Sequence, residues 1–460
     1  MEEMLVPSPP ISGPNGAPSA HESAAAAGFT IAFCLEGQLR LDDQPALHDA
    51  VALARRHPGS RLIVLATRPE DQRLRGPHQR RIEAQALASL RSRLAAQGIP
   101  LLAFPQQTTT TALAELRPLL RPDRLLQAQQ SRLFGDWPVS PERFPLVFSD
   151  FRRSLERPPE APLPPPDLTG LGWTAAAGPE AWPQEWLRPV DPDPAADPGP
   201  FDGPAEAIDA LAVPLGDPLG ERYLDPQSDP RSAFPFRGDG PTALARLQHF
   251  CFGSDGLRLY KARRNGLVGT EFSSKLSPFL ALGSLSVRRI WQEILRYQAL
   301  HGADEGSDWL KQELLWREFF LWSEQRHGAA FHRASGLQNR QPAWVENREL
   351  FARWCRADGG HPLIDAQLRE LRATGYLSNR GRQWVASHFI NSLQLPWIWG
   401  ARFFEWWLID AEPALNTGNW AYLAGVGSDP RSFGGSPRRF DLERQVGLYD
   451  PEQTHRQRWS

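Results

Sequence analysis

Cysteine is scarce: the 460 residues hold three, Cys34, Cys251 and Cys355, scattered along the chain. An odd number with no Cys-x-x-Cys and no Cys/His spacing argues against a disulfide framework and against a metal site, and makes a reducing, cytoplasmic compartment the expectation. Long apolar runs are missing too. None approaches the roughly 18 residues of a membrane-spanning helix, which excludes such a span. The first 28 residues contain Glu2 and Glu3, no arginine and no apolar core, so they read as neither a secretory nor an organellar leader. Small residues and prolines without periodicity predict a disordered tail over 1–28. No glycine-rich phosphate loop follows the first strand-like run, which disfavours a dinucleotide-binding Rossmann domain. Net charge is nearly absent, −2 from 51 Lys+Arg and 53 Asp+Glu, and at first sight this argues against a nucleic-acid partner.

That average hides two unlike halves. Residues 231–460 hold 30 Lys+Arg against 23 Asp+Glu, whereas residues 1–230 hold 21 against 30. Of the 17 tryptophans, 13 follow residue 230. At roughly 100–200 residues per domain, the length predicts two or three domains. Over 29–156, apolar runs at 29–35, 61–67 and 100–104 alternate with helical patterns at 45–56 and 77–98. Alternation of this kind predicts an α/β domain with a parallel sheet and helices on its faces. Between residues 157 and 230 there are 18 prolines, too many for a helix or a central strand, so 157–238 reads as an interdomain connector. Its Trp173, Trp182 and Trp186 suggest that part of it packs onto a neighbour. Residues 239–460 read as an all-helical domain, including helices over 287–302 and 307–328, the second opened by Ser307 and stopped by Gly328.

Three blocks carry polar chemistry. In SSKLS, Ser273, Ser274, Lys275, Leu276 and Ser277 place hydroxyls and an amine before a helix that starts near Pro278. That arrangement suits a diphosphate, or equally a capped, solvated turn. In ELLWREF, Glu313, Trp316 and Arg317 share one helix face, either as a site or as an ordinary amphipathic surface with an i, i+4 ion pair. In the block 374–430, Asn379, Arg382 and Gln383 share a face, as do Asn416 and Trp420 if that segment is helical. Fused polar and aromatic faces look like a cofactor cavity wall, although a tryptophan stripe by itself reads as core first.

The order and spacing of the three blocks resemble the photolyase/cryptochrome family, and its DASH-type cryptochromes most of all. Family motifs of the type STKFSP, ELLWRD, TGFMSNRGRQ and SNWGNWQYxAGVGxDPR correspond here to SSKLSP, ELLWRE, TGYLSNRGRQ and LNTGNWAYLAGVGSDPR. The similarity runs from Asp239 to Trp459 and, more weakly, over 29–157. It implies FAD in the helical domain, behind an α/β antenna domain. By position, Tyr260, Ser273, Ser274, Lys275, Leu276 and Ser277 would meet the phosphates and ribityl chain. Glu313, Trp316 and Arg317 would line the flavin and substrate sides, Asn379 and Arg382 would lie near the flavin ring, and Arg382 would pair with Asp410. Asn416 would face flavin N5.

Trp420, Trp397 and Trp344 fall at the family's electron-transfer triad, from flavin to surface. The implied reaction is light-driven splitting of cyclobutane pyrimidine dimers, with single-stranded DNA as partner and no obligate protein partner. Glu313 would bond the flipped dimer, Trp316 and Tyr422 would sandwich it, Asn379 and Gln383 would floor the cavity, and Arg380 would meet a phosphate. The alternatives are a non-repairing photoreceptor and a decayed flavin-binding protein.

Departures accompany the match. Glu412 stands where the family has a shorter acid against the flavin, and Ser392 where it has Asp, which predicts a missing buried charge partner. The opening motif WFRxDLRLxDN survives only as CLEGQLRLDDQ, with Glu36 for Arg and Gln38 for Asp. A helix and a strand, roughly 25 residues by the usual size of such a unit, are absent between Gln130 and Ser131. A folate antenna is therefore expected to be weak or absent.

Overall fold

The computed structural model describes residues 28–68, 75–173, 184–187, 219–433 and 439–460. The expected tail over 1–28, apart from Gly28, and Trp182 with half of the connector lie outside them. Four parallel strands form one sheet in the order β3-β2-β1-β4: β1 (Thr30–Cys34), β2 (Arg61–Arg68), β3 (Leu101–Thr108) and β4 (Arg124–Gln127). Helices α1 (Pro45–Arg56), α2 (Pro77–Ala95) and α3 (Thr109–Leu116) connect them. Alternate residues of β1 face opposite sides, as the period of a strand requires. Ile31 and Phe33 join the core under α1 and α2, whereas Ala32 and Cys34 join a second core under α3. The connector completes that second face. Trp186, in the short α5 (Gln184–Leu187), is 4% exposed and donates its indole N–H to Glu115 at 2.7 Å. Trp173 donates to Leu62 O at 2.8 Å. Between β4 and a 3-10 turn at Pro141–Arg143, the described chain forms no helix or strand before α4 (Phe148–Arg153).

The second domain is helical throughout: α6 (Gly240–Gln248), α7 (Tyr260–Arg263), α8 (Ser277–Ala281), α9 (Val287–His301), α10 (Glu305–His327), α11 (Arg348–Cys355), α12 (Pro362–Thr374), α13 (Asn379–Asn391), α14 (Trp397–Trp407), α15 (Pro413–Leu423), α16 (Leu442–Tyr449) and α17 (Thr454–Arg458). Gly328 ends α10 with φ +52°, but Ser307 does not open it. Asp304 is the cap, accepting from Ser307 N at 2.7 Å, and the Ser307 hydroxyl accepts from Asp304 N in return. The reciprocal pair satisfies two orphan donors and starts the helix earlier than serine alone suggested. No described helix is long and apolar enough to cross a membrane. No group of three His, Cys, Asp or Glu among the described residues could hold a metal ion.

The two domains share one apolar core, which runs from Phe33 and Leu87 through Phe151 and Phe234 to Phe319 and Ile409. A buried polar seam runs through their contact. Asp43 accepts from the Ser286 hydroxyl, and its Oδ1 lies 3.2 Å from Arg288 Nη1. Arg40 donates to Gln38 Oε1 at 2.8 Å, Gly283 O at 3.2 Å and Asp43 O at 3.1 Å. Ser131 Oγ accepts from Val287 N at 2.9 Å, and Arg317 donates to Ser131 O at 2.9 Å. Gly283 has φ +63°, and a Cβ there would sit 2.7 Å from Gln38 Cα, so a side chain would part the domains. Burial lowers Arg40 to about 10, with Asp43 opposing. Removing a charge from such a pair strands its partner. Asp43→Asn should therefore cost about 3 kcal/mol and lower the melting temperature by several degrees. An unchanged thermal transition by circular dichroism would show that the seam carries no load.

Candidate functional site: a cavity in the helical domain

One cavity gathers side chains from α7, α8, α10, α13 and α15 and from the loops beside them. It is lined by Tyr260, Ser273, Ser274, Lys275, Leu276, Ser277, Glu313, Arg317, Asn379, Arg382, Gln383, Asp410, Glu412, Asn416 and Trp420, all singled out in the sequence. It also takes in Arg264, Tyr376 and Asn419, which sequence reasoning passed over. The signal for Arg264 was present: it lies four residues after Tyr260, one helical turn on. Tyr376 sits inside the TGYLSNRG run that was quoted only for its polar members.

Two local features show what the cavity accepts. Lys275 is 2% exposed, has φ +61°, and meets the Tyr376 hydroxyl at 3.1 Å and the Phe272 ring at 3.1 Å from its centroid. No carboxylate pairs with it among the described residues. Burial, with help from Arg246, drives the amine well below its ordinary value. A buried cation without a counter-ion, beside the hydroxyls of Ser273, Ser274 and Ser277, is complementary to a phosphate-bearing ligand. Beside the same Tyr376 ring, Arg382 Nη2 lies 2.9 Å from Asp410 Oδ2, while Asp410 Oδ1 is buried with no hydrogen-bond partner among the described residues. An unmet acceptor of that kind fits a ligand with N–H or O–H donors. The donors and acceptors present thus fit FAD, with its diphosphate and its heteroaromatic edges.

Other predicted residues have definite places. Asn416 donates Nδ2 to Ala401 O at 2.7 Å, so its remaining hydrogen-bonding capacity faces the cavity. Glu412 is buried at the start of α15 and lines the cavity despite its extra methylene. Arg317 lines it too, yet its guanidinium also bonds Ser131 O and Glu318, which ties the cavity to the interdomain seam. Glu313, with a side chain 31% exposed, accepts from Trp309 and pairs with Arg264. Burial raises its carboxyl above the ordinary range, and both partners oppose the rise.

Five expected residues lie outside the lining. Trp316 and Tyr422 are ring neighbours at 6.1 Å and 87°, and Phe148 stacks on Trp316 at 3.8 Å. The two rings make a corner rather than parallel jaws. Arg380 donates to Gln383, Gln445 and Asn265, and so braces Gln383 against α16. Trp397 is buried and donates to Ala334 O at 3.0 Å, whereas Trp344 is half-buried on the same core cluster. Trp420 packs edge-on against Phe389 and Phe404, and Gly400 makes its seat, since a Cβ there would sit 2.3 Å from the indole. Ser392 is exposed at the end of α13. The expected loss of a buried charge partner is corrected accordingly: this position buries no charge.

A parallel α/β domain fused through a common core to a helical domain with this cavity defines a class, the photolyase-type flavoproteins. Residues 309–460 match the family model described as the FAD binding domain of DNA photolyase. A Cryptochrome DASH of Natronomonas pharaonis is 34% identical over 443 residues, covering 92% of this chain and 88% of the relative. The Cryptochrome DASH of Synechocystis sp. is 42% identical over 249 residues, an alignment that spans 54% of this chain and 50% of that protein. The crystal structure of a Synechocystis cryptochrome superposes with a TM-score of 0.71 at 28% identity, covering 94% of this chain and 89% of that one. The chain belongs to the photolyase/cryptochrome family, among its DASH-type members, and FAD is its cofactor.

Asp410 should matter to cofactor retention. Asp410→Asn releases Arg382 and should weaken FAD binding roughly tenfold, the effect of one lost charge-assisted contact. Flavin absorbance per mole of purified protein measures this, and wild-type occupancy in the variant would contradict it.

Proposed function

We propose that the chain is a light-driven DNA photolyase that splits cyclobutane pyrimidine dimers, with single-stranded DNA as its preferred substrate. The observation that carries this reading is Glu313 at the cavity wall, with Asn379 and Gln383 lining the same cavity. When bound, FAD supplies light-driven transfer of one electron to the dimer and its return after the ring opens.

The chain's own residues do the rest. Glu313 hydrogen-bonds a carbonyl of the flipped dimer and stabilises the charge that develops there. Asn379 and Gln383 bond the remaining base edges, with Gln383 held in place by Arg380. The corner of Trp316 and Tyr422 offers apolar aromatic surface to the bases, and Arg431, 3.3 Å from the Tyr422 hydroxyl, offers a cation at the same corner. Flipping a dimer out of a duplex costs a few kcal/mol, and a single strand avoids the unpairing part. A basic helical half suits a phosphate backbone. Asn416 meets the flavin as a neutral amide, which adds no charge beside a reduced ring. Trp420 and Trp397 within the core and Trp344 towards the surface supply an oxidisable route outward, along which indoles can re-reduce the cofactor.

Purified protein, illuminated with blue light, should restore dimer-containing single-stranded oligonucleotides. Glu313→Ala should lower the yield at least several-fold with flavin content unchanged. Bound flavin with persistent dimers would favour a photoreceptor, and a protein without flavin would favour a decayed binding protein.

A further inference from the structure

The carboxylate at the cavity wall is held asymmetrically. Trp309 lies one helical turn before Glu313 on α10, and its indole N–H donates to Glu313 Oε1 at 2.9 Å. Arg264, just past the end of α7, brings Nη2 to 2.8 Å from the same oxygen. Trp309 is itself held in place. Lys261 Nζ lies 5.4 Å and the Arg264 guanidinium 5.2 Å from its ring centroid, and Lys261 is tied to Glu305 at 2.9 Å. Indole and guanidinium can only donate. An oxygen that accepts from the indole and lies against the guanidinium charge cannot also carry a proton without setting hydrogen against hydrogen and positive against positive charge.

Building on the repair reading above, we propose that the Trp309 N–H and the Arg264 charge together form a clamp on Oε1 of Glu313. The clamp confines the carboxyl proton to Oε2 and makes the residue an O–H donor to a dimer carbonyl. Arg264 and Trp309 are then positioning residues that decide which oxygen meets substrate. The ionisable groups facing Glu313 are Arg264 and the buried hydroxyl of Tyr260, both from the α7 segment, with Lys261 beyond the indole; Asn379 and Gln383 in the same cavity are uncharged. Burial raises the Glu313 carboxyl, and the Arg264 charge and the Trp309 hydrogen bond limit the rise. Loss of one donor disfavours the carboxylate, so the proton is held to higher pH. Repair that needs the protonated form would then persist to higher pH in the variant.

The test is a titration of the Glu313 carboxyl in the full chain by infrared difference spectroscopy, with E313Q to assign the band. W309F should raise the midpoint by about one pH unit, while W291F, on another helix, leaves it in place. Benzothienylalanine at position 309 keeps the bicyclic ring and removes only the N–H, so it should reproduce the shift without disturbing packing. The alkaline limb of dimer repair should move by the same amount. A midpoint within about 0.2 pH unit of wild type in both variants would overturn the clamp. A repair profile that is the same in wild type and W309F despite a shifted midpoint would overturn the donor role. If the midpoint shifts but even the wild type repairs no dimer at any pH, the repair reading falls and the clamp stands.

Discussion

Burying charge between two domains is the constraint on which the rest of this structure depends. Asp43, Arg40 and Arg288 are each nearly inaccessible; Asp43 accepts from Ser286, Arg288 and Leu163 N, Arg288 also pairs with Glu160, and Arg40 donates to Gln38, Gly283 O and Asp43 O. A buried ion pair adds little net stability, but it penalises every arrangement that leaves one partner alone. The seam therefore acts on geometry more than on affinity between the halves. Ser131 passes that geometry inward, because it bonds Val287 N with its hydroxyl and Arg317 with its carbonyl. Arg317 is at once a seam residue and a cavity wall.

The cavity shows the opposite economy, holding polar groups that the protein leaves incompletely met. Among the described residues, Lys275 has no carboxylate partner and Asp410 has a buried oxygen without a donor. Such groups destabilise the empty protein, and a phosphate-bearing, donor-rich cofactor offsets the cost when it binds. Rigid walls make this possible. Gly400 lets Trp420 lie against α14, and Gly283 lets the α/β domain reach the loop after α8. The substitutions in the opening motif are absorbed in the same way: Gln38, in the place of a family Asp, still accepts from Arg40 and from Ser131 N.

Much of this was legible in the sequence. Apolar runs marked β1, β2 and β3, since a strand buried on both faces has no polar choice, whereas the short, largely exposed β4 carries no such run. The motif blocks marked most of the cavity, because residues on one helix face keep their relation wherever the helix goes. What escaped depends on tertiary partners. Arg264 matters through a carboxylate on another helix, and Tyr376 through a lysine far away in sequence. Asp304 took the cap from Ser307, and both choices satisfy the local rule. Ser392 reads as a lost buried charge in the sequence, yet its position is exposed at the end of α13. Trp316 and Tyr422 were expected to sandwich a base, yet they stand at 87° to each other, and Trp316 stacks instead on Phe148, which the helical-domain motifs do not contain.

If the interdomain seam sets the cavity wall, a change in the seam must be felt by the cofactor. The most direct measurement is the FAD dissociation constant of the Asp43→Asn protein against wild type, at a temperature where both are folded. The account predicts binding weaker by about tenfold or more, since Arg317 loses its fixed support through Ser131. Equal affinities in a protein with a lowered melting temperature would contradict it, and would make the seam a source of stability alone.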